Sequence, residues 1–460
     1  MFIGRRHELA KLNEMHGSDK FECAIIYGRR RVGKTALIQE FIKDKKAIYY
    51  TGLQAGLKTN LENFSKSIFG LTMQGLLAPP GFLDFQAALD YIYEISKNER
   101  LILVIDEFPY LAEAYNPISS ILQIQIDSKF ITSKLLMILC GSSMSFMENQ
   151  VLGYQSPLYG RRTAQFKIMS FDYAESSKFH INFDAYESAT IYGITGGIPQ
   201  YLMQISDLKS LRDNIIENFF TTSSYLYEEP SNILKQELRE PHKYNEIITA
   251  IATGSSRLNE ISTKTKLDTA LCSKYITSLI SLGIVKKEKP VLSDNSKKSI
   301  YRLADGMFRF WYRFVPGNAS LINLGAGDRV YDLIESQIAA YMGEVFEEIC
   351  KQYLWMQNKA EKLPFFFREA GRWWGANPIL KSEQEIDIIA YDGTNAIFCE
   401  CKWTNSPLHR GVLDSLIEKS GMFNFTNKYY YVFSKSGFAD DFEDNISDNI
   451  RLIGFLDMFN

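Results

Sequence analysis

Cys23-Ala24-Ile25-Ile26-Tyr27-Gly28-Arg29-Arg30-Arg31-Val32-Gly33-Lys34-Thr35-Ala36-Leu37-Ile38-Gln39-Glu40-Phe41-Ile42 is the stretch that decides the fold. An apolar, β-branched run reads as a buried strand, and a helical period begins at Ala36. Between them stands G-x-x-x-x-G-K-T, and strand, loop and helix in that order define a P-loop. Gly28 and Gly33 let the backbone curl so that its N–H groups point at phosphate oxygens, and the helix N-terminus adds a favourable partial charge. Lys34 is expected to reach the β- and γ-phosphates and Thr35 to ligate Mg²⁺.

Outward from the loop, residues 101–105 form a second apolar strand ending in Asp106-Glu107. That pattern reads as a Walker B element, with Asp106 holding Mg²⁺ through water and Glu107 orienting or deprotonating the attacking water. A third strand, 135–140, ends at Gly141-Ser142-Ser143, where Ser142 fits a sensor of the γ-phosphate; a plain loop is the alternative. In Pro157-Leu158-Tyr159-Gly160-Arg161-Arg162-Thr163, either Arg161 or Arg162 could act as a finger on a neighbouring subunit's nucleotide; a surface or internal ion pair is the other reading. Gly196, Gly197 and Pro199 mark a tight turn.

FIGRRHEL at the start, GRRRVGKT, VIDEF, PLYGRRT and TGGIPQYL resemble, in the same order, the archaeal-type ATPases of the AAA+/STAND group over roughly the first 230 residues. The resemblance implies an α/β core (1–165) followed by a helical lid (166–231). It also implies that Arg5 lies near the adenine and that Pro199 belongs to the lid that senses nucleotide.

The whole chain has 460 residues, enough for about three domains. Its charge is 51 − 54 = −3, which excludes a wholly basic nucleic-acid binder but not a local patch. By segment the sums are 23 − 25 = −2 over 1–231, 12 − 7 = +5 over 232–300 and 16 − 22 = −6 over 301–460. No apolar run approaches bilayer length, and the start lacks the apolar stretch of a signal peptide, so no membrane contact and a cytoplasmic location are expected. The six scattered cysteines read as reduced, buried thiols.

The basic segment, 232–305, shows three short helical stretches and two strands around the polar turn 293–298, a winged helix-turn-helix. Lys274 and Ser278 on its third helix, and Lys297 and Lys298 on its wing, would face phosphates. A purely mechanical arm, packed on the nucleotide domain in proteins this chain resembles, is the competing reading. Residues 306–329 are expected to be a linker, and the aromatic stripe of 301–311 is read as an interdomain core in preference to a stacking platform.

In the acidic last third, 385–390 and 396–403 read as a hairpin around the turn 392–395. Alternation puts Asp387 with Glu385 on one strand, and Glu400 with Lys402 on the other. With Glu347 from the preceding helix, these carboxylates offer hard oxygen ligands for Mg²⁺ or Mn²⁺, and Lys402 could position the attacking water. The D…ExK arrangement resembles the PD-(D/E)xK nuclease superfamily over 330–460. FEEIC, EIDIIAY and ECKW match the domain of unknown function that usually follows this ATPase type. Ile386-Asp387 stands where the superfamily's usual Pro-Asp would be.

The expected architecture is therefore α/β: an AAA+-like P-loop NTPase core with a helical lid, a winged helix-turn-helix and a restriction-endonuclease-like α/β domain. The expected activity is ATP hydrolysis, with ATP and Mg²⁺ as cofactors, coupled to a Mg²⁺- or Mn²⁺-dependent DNA nuclease. The alternative is a nucleotide-gated DNA-binding or signalling module with an inactive nuclease fold. DNA and further copies of the chain are the expected partners.

Overall fold

The computed structural model describes residues 2–73, 80–293, 298–442 and 447–459; of the predicted site residues, Lys297 lies outside them. The chain divides into two compact units, Met1–Ser170 and Phe171–Asn460.

In the first unit β1 (Glu22–Tyr27), β2 (Ala47–Thr51), β3 (Leu101–Asp106), β4 (Leu135–Gly141) and β5 (Ala164–Lys167) form one parallel sheet in the order β2-β3-β4-β1-β5. Every residue of β1, β3 and β4 is buried, which is why these strands read as continuous apolar runs instead of alternating ones. Ile25, Leu103 and Met137 pack with the helices Leu57–Thr72, Phe85–Ser96 and Ile118–Ser128. Ala24, Val104 and Ile138 pack on the other face with Arg6–His16 and Lys34–Ile42. With β4 between β1 and β3, the C-terminal ends of all three lie side by side, the crevice where open α/β sheets bind ligands.

The second unit begins with a group of helices that includes Ala185–Thr195, Pro199–Leu202, Leu211–Phe219 and Tyr225–Glu237. Pro241–Ala252, Leu258–Thr265 and Thr269–Ser281 follow, then an antiparallel hairpin of β6 (Val285–Glu288) and β7 (Ile300–Leu303). On Thr269–Ser281, Cys272, Tyr275, Ile276 and Leu279 are buried, and Leu271 packs beside them. The stretch expected as a linker is different. Gly306–Phe314 is a helix whose Met307, Phe308, Phe310, Tyr312 and Phe314 are buried, and Phe310 lies 4.8 Å from Phe219 and 5.6 Å from Tyr341 between ring centres. A helix apolar on most sides cannot stay in solvent, so this segment is core.

The 33-residue helix Gly327–Lys359 packs on a sheet of β8 (Glu369–Asn377), β9 (Ser382–Tyr391), β10 (Asn395–Lys402), β11 (Asn427–Ser434) and β12 (Ile450–Gly454), ordered β12-β11-β10-β9-β8. The β9–β10 hairpin closes as the sequence suggests: the Asp392 carboxylate accepts from the amides of Thr394 (2.7 Å) and Asn395 (2.8 Å). The helix Gly411–Ser420 covers the sheet's other face through Leu413 and Leu416. Between the pairs Gly371↔Ile389 and Trp373↔Ile386, β9 uses two residues, Asp387 and Ile388, against one on β8. This is a β-bulge, a device that re-aims a side chain. All six cysteines are free and buried, and no helix among the described residues is long and apolar enough to cross a membrane.

Candidate functional site: a phosphate-binding crevice and a carboxylate cleft

The first site forms where β1 runs into the helix Lys34–Ile42. Gly33 caps that helix at φ 88°, in the left-handed region open to glycine. A Cβ on Gly28 would lie 2.3 Å from the Ile168 carbonyl oxygen, so only glycine lets the loop leave the strand here. Lys34 is 6% exposed, and its Nζ donates to the carbonyls of Gly28 and Arg29, both at 2.9 Å. Burial pulls its pKa below the usual lysine range.

Asp106, 3% exposed at the end of β3, is satisfied on both oxygens. Oδ1 accepts from the Glu107 amide at 2.9 Å. Oδ2 accepts from Thr35 Oγ1 at 3.0 Å and from Tyr49 Oη at 2.6 Å. Burial first, and then the hydrogen bond to Asp106, pushes the Tyr49 hydroxyl well above its ordinary pKa, so it remains a donor. Hydroxyl and carboxylate oxygens at a helix N-terminus are the hard donors Mg²⁺ takes, so the residues present fit that ion.

Glu107 sits at φ 47°, a left-handed conformation uncommon for a non-glycine residue. That turn aims its side chain at the end of β4, where Glu107 Oε2 accepts from Ser142 Oγ at 2.9 Å. Arg5 donates to the Val32 carbonyl within the loop (3.1 Å) and to the Met169 carbonyl. The two arginines separate. Arg161 binds Asp127 through two nitrogens at 2.8 and 2.6 Å and also donates to Pro157 and Tyr159 carbonyls, whereas Arg162 lies 5.9 Å over the Tyr159 ring. Pro199 opens the short helix Pro199–Leu202 in the second unit.

The second site lies wholly within the second unit. A cleft of about 270 Å³ is lined by Lys286, Glu288 and Arg302 of the hairpin, Glu344, Glu347 and Lys351 of the long helix, and Arg372 and Asp387 of the sheet, among others. Arg302 meets Glu344 at 2.6 Å and Glu288 at 3.8 Å, and Arg309 meets Glu344 at 3.6 Å. Asp387 Oδ2 accepts from the Cys401 amide at 2.8 Å. Burial, reinforced by the Asp387 charge, pushes Glu347 up to about 8. Burial and then Glu400 push Asp387 up to about 6.

Glu400 and Lys402, which act electrostatically on Asp387, are not among the residues lining this cleft. They alternate with Cys399 and Cys401, which pack in the cluster shared with the long helix. Glu400, 6% exposed, is held between Lys402 Nζ (2.6 Å) and Lys419 Nζ (3.3 Å), the latter from the helix Gly411–Ser420. Asp387 links the two groups: its charge raises Glu347, and Glu400, Lys402 and Lys419 act on it in turn. Among the described residues no three acidic, histidine or cysteine side chains are grouped so that they could hold an ion. Lys274 and Lys298 are exposed, and the Ser278 hydroxyl donates back to the Lys274 carbonyl (3.3 Å). Tyr49 and Lys419 were missed because neither sits in a motif, and Arg302 because its partner is 42 positions away.

The raised acids have a consequence for stability. Between the ordinary carboxylate range and about pH 8, the folded chain holds protons that the unfolded chain has released. Stability therefore falls as pH rises through that window, by at most about 1.4 kcal/mol per pH unit for each such proton. Urea midpoints of metal-free protein at about pH 5.5 and about pH 8.5 check this: wild type should lose more than Glu347→Gln, which has no proton to release.

Residues 2–205 match the family described as an ATPase domain predominantly from Archaea, and residues 311–413 match a family of archaeal and bacterial proteins of unknown function. An uncharacterized protein of Methanocaldococcus jannaschii is 32% identical over 406 residues, 88% of each chain. An uncharacterized ATP-binding protein of the same organism is 48% identical over 46 residues, 10% of this chain and 78% of that one. Among solved structures, a Walker-type ATPase of Pyrococcus abyssi aligns with a TM-score of 0.50 at 20% identity, over 68% of this chain and 96% of that one; this likeness speaks for the fold.

Proposed function

This chain belongs to the family of the Methanocaldococcus jannaschii protein and carries an ATPase domain of the predominantly archaeal type; on that premise we propose that it is an ATP-hydrolysing switch whose nucleotide state gates a nuclease-like domain acting on DNA. In the ATPase half, the loop amides and Lys34 bind the triphosphate, Thr35 and Asp106 hold Mg²⁺, Glu107 orients the attacking water and Ser142 contacts the γ-phosphate. When bound, the ion neutralises charge on the β- and γ-phosphates. Since Arg161 is engaged with Asp127, we assign the finger role toward a neighbouring copy to Arg162.

The observation that carries the coupling is the shared cleft. Read as the wing of a winged helix, the hairpin β6–β7 lines the same cavity as Glu347 and Asp387 of the nuclease-like domain. Arg302 ties it to Glu344, one turn of helix before Glu347. In this reading the structure is the off state: the wing is latched and the acids are not gathered. Release of the wing would expose the cleft, and Lys274 and Lys298, already exposed, would make phosphate contacts.

Plasmid DNA with Mg²⁺, with and without ATP, tests this. Wild type should nick DNA faster with ATP, Arg302→Ala should nick without it, and Lys402→Ala should do neither. Equal survival of DNA with wild type and Lys402→Ala, in Mg²⁺ and in Mn²⁺, would sink the nuclease part. It would leave the second reading, a nucleotide-gated DNA-binding or signalling module with an inactive nuclease fold. The engagement of Glu400 by both Lys402 and Lys419 favours that second reading.

A further inference from the structure

We propose that Tyr49 is a positioning residue for the Mg²⁺ of the nucleotide site, acting through Asp106; the inference rests on the Mg-ATP reading of that site. Tyr49 stands on β2, which is paired with β3 so that Tyr49 faces Val104 and Thr51 faces Asp106. The ring packs with the cluster of Leu37, Ile38 and Val104, on the face covered by the helix Lys34–Ile42. From there its hydroxyl reaches Asp106 Oδ2 at 2.6 Å.

The two donors on Oδ2 differ in what they can do. Thr35 Oγ1, at 3.0 Å, belongs to the loop's own helix and is the group that would also serve the ion. Tyr49 comes from the neighbouring strand on a two-torsion, ring-packed side chain, so it fixes the carboxylate whether or not the ion is bound. A buried carboxylate needs such donors, and a neutral hydroxyl satisfies it without adding a positive charge that would repel a divalent cation. Tyr49 thus sets the orientation of Asp106 before the ion arrives, which lowers the cost of ordering the site.

The test uses full-length protein, a fluorescent ATP analogue and Mg²⁺ titration. Tyr49→Phe keeps the ring and deletes the donor. Loss of a hydrogen bond to a charged group predicts roughly a tenfold rise in the Mg²⁺ concentration that half-saturates tight nucleotide binding. Binding of the analogue in chelator should stay within about twofold of wild type. Tyr49→His, which keeps a ring donor, should fall between the two and answers the question if Tyr49→Phe does not melt like wild type. A Mg²⁺ dependence unchanged in both variants overturns the inference. A loss of binding in chelator equal to that in Mg²⁺ also overturns it, because that marks a merely structural tyrosine. If wild type itself shows no Mg²⁺-dependent binding, the Mg-ATP reading falls and the inference with it.

Discussion

Lys34→Ala should abolish measurable nucleotide binding while leaving the protein folded. The ammonium is the one lysine charge the loop aims inward, and it sits among carbonyls at the helix N-terminus, where an arriving phosphate replaces them as its partners. Losing a preorganised cationic donor in such a site costs roughly 100-fold or more in rate, and the ground-state triphosphate loses its main counter-charge as well. Misfolding is a poor rival explanation. Burial already disfavours the charged lysine in the folded chain, so a small apolar side chain there removes a cost. The check is a pair of melting curves. Wild type should gain about 2.7 kcal/mol at Mg-ATP a hundredfold above its dissociation constant. Lys34→Ala should melt at or above the wild-type temperature without nucleotide and gain nothing with it.

The residues in that argument were readable because parallel strands buried on both faces announce themselves as apolar runs, and because a phosphate loop needs glycines at fixed spacing. Asp106 and Glu107 were readable for the same reason, as polar residues ending an otherwise fully buried strand. Tyr49 was not, since its contact with Asp106 spans 57 positions and depends on strand order, which no local pattern encodes. The second site shows a different limit. Alternation placed Glu400 and Lys402 together, as found, but it presumes a regular ladder, and β9 bulges at Asp387 and Ile388. Asp387 lines the cleft with Glu347 and still interacts with Glu400, Lys402 and Lys419. The aromatics starting at 301 were readable as core, but the helix Gly306–Phe314 that carries most of them lies inside the segment expected as a linker. Charge, too, was a weak guide: the cleft mixes Lys286, Arg302 and Lys351 with Glu288, Glu344 and Glu347, and segment sums average that away.

Glu107→Gln should do the opposite of Lys34→Ala: keep ATP and stop turnover. The substitution preserves size and leaves an oxygen that Ser142 can still bond, so the loop, Lys34 and Asp106 are untouched and ATP affinity should stay within about threefold. What disappears is the group that takes or steers a proton from water, and general-base help is worth about 10²–10⁴ in rate, so kcat should fall at least about 100-fold. The left-handed backbone at Glu107 aims the side chain at the Ser142 end of β4, and glutamine holds the same turn, so any loss belongs to the carboxylate and not to the fold. The pair of variants then separates binding from hydrolysis in the switch. If ATP binding releases the hairpin latch, Glu107→Gln should accumulate the ATP-bound form and respond to ATP as strongly as wild type, and for longer, in protease protection of the β6–β7 hairpin and in plasmid nicking. Lys34→Ala should respond in neither. Were Glu107→Gln to behave like Lys34→Ala while still binding ATP, the trigger would be hydrolysis instead of binding, and the latch would have to open on the product state.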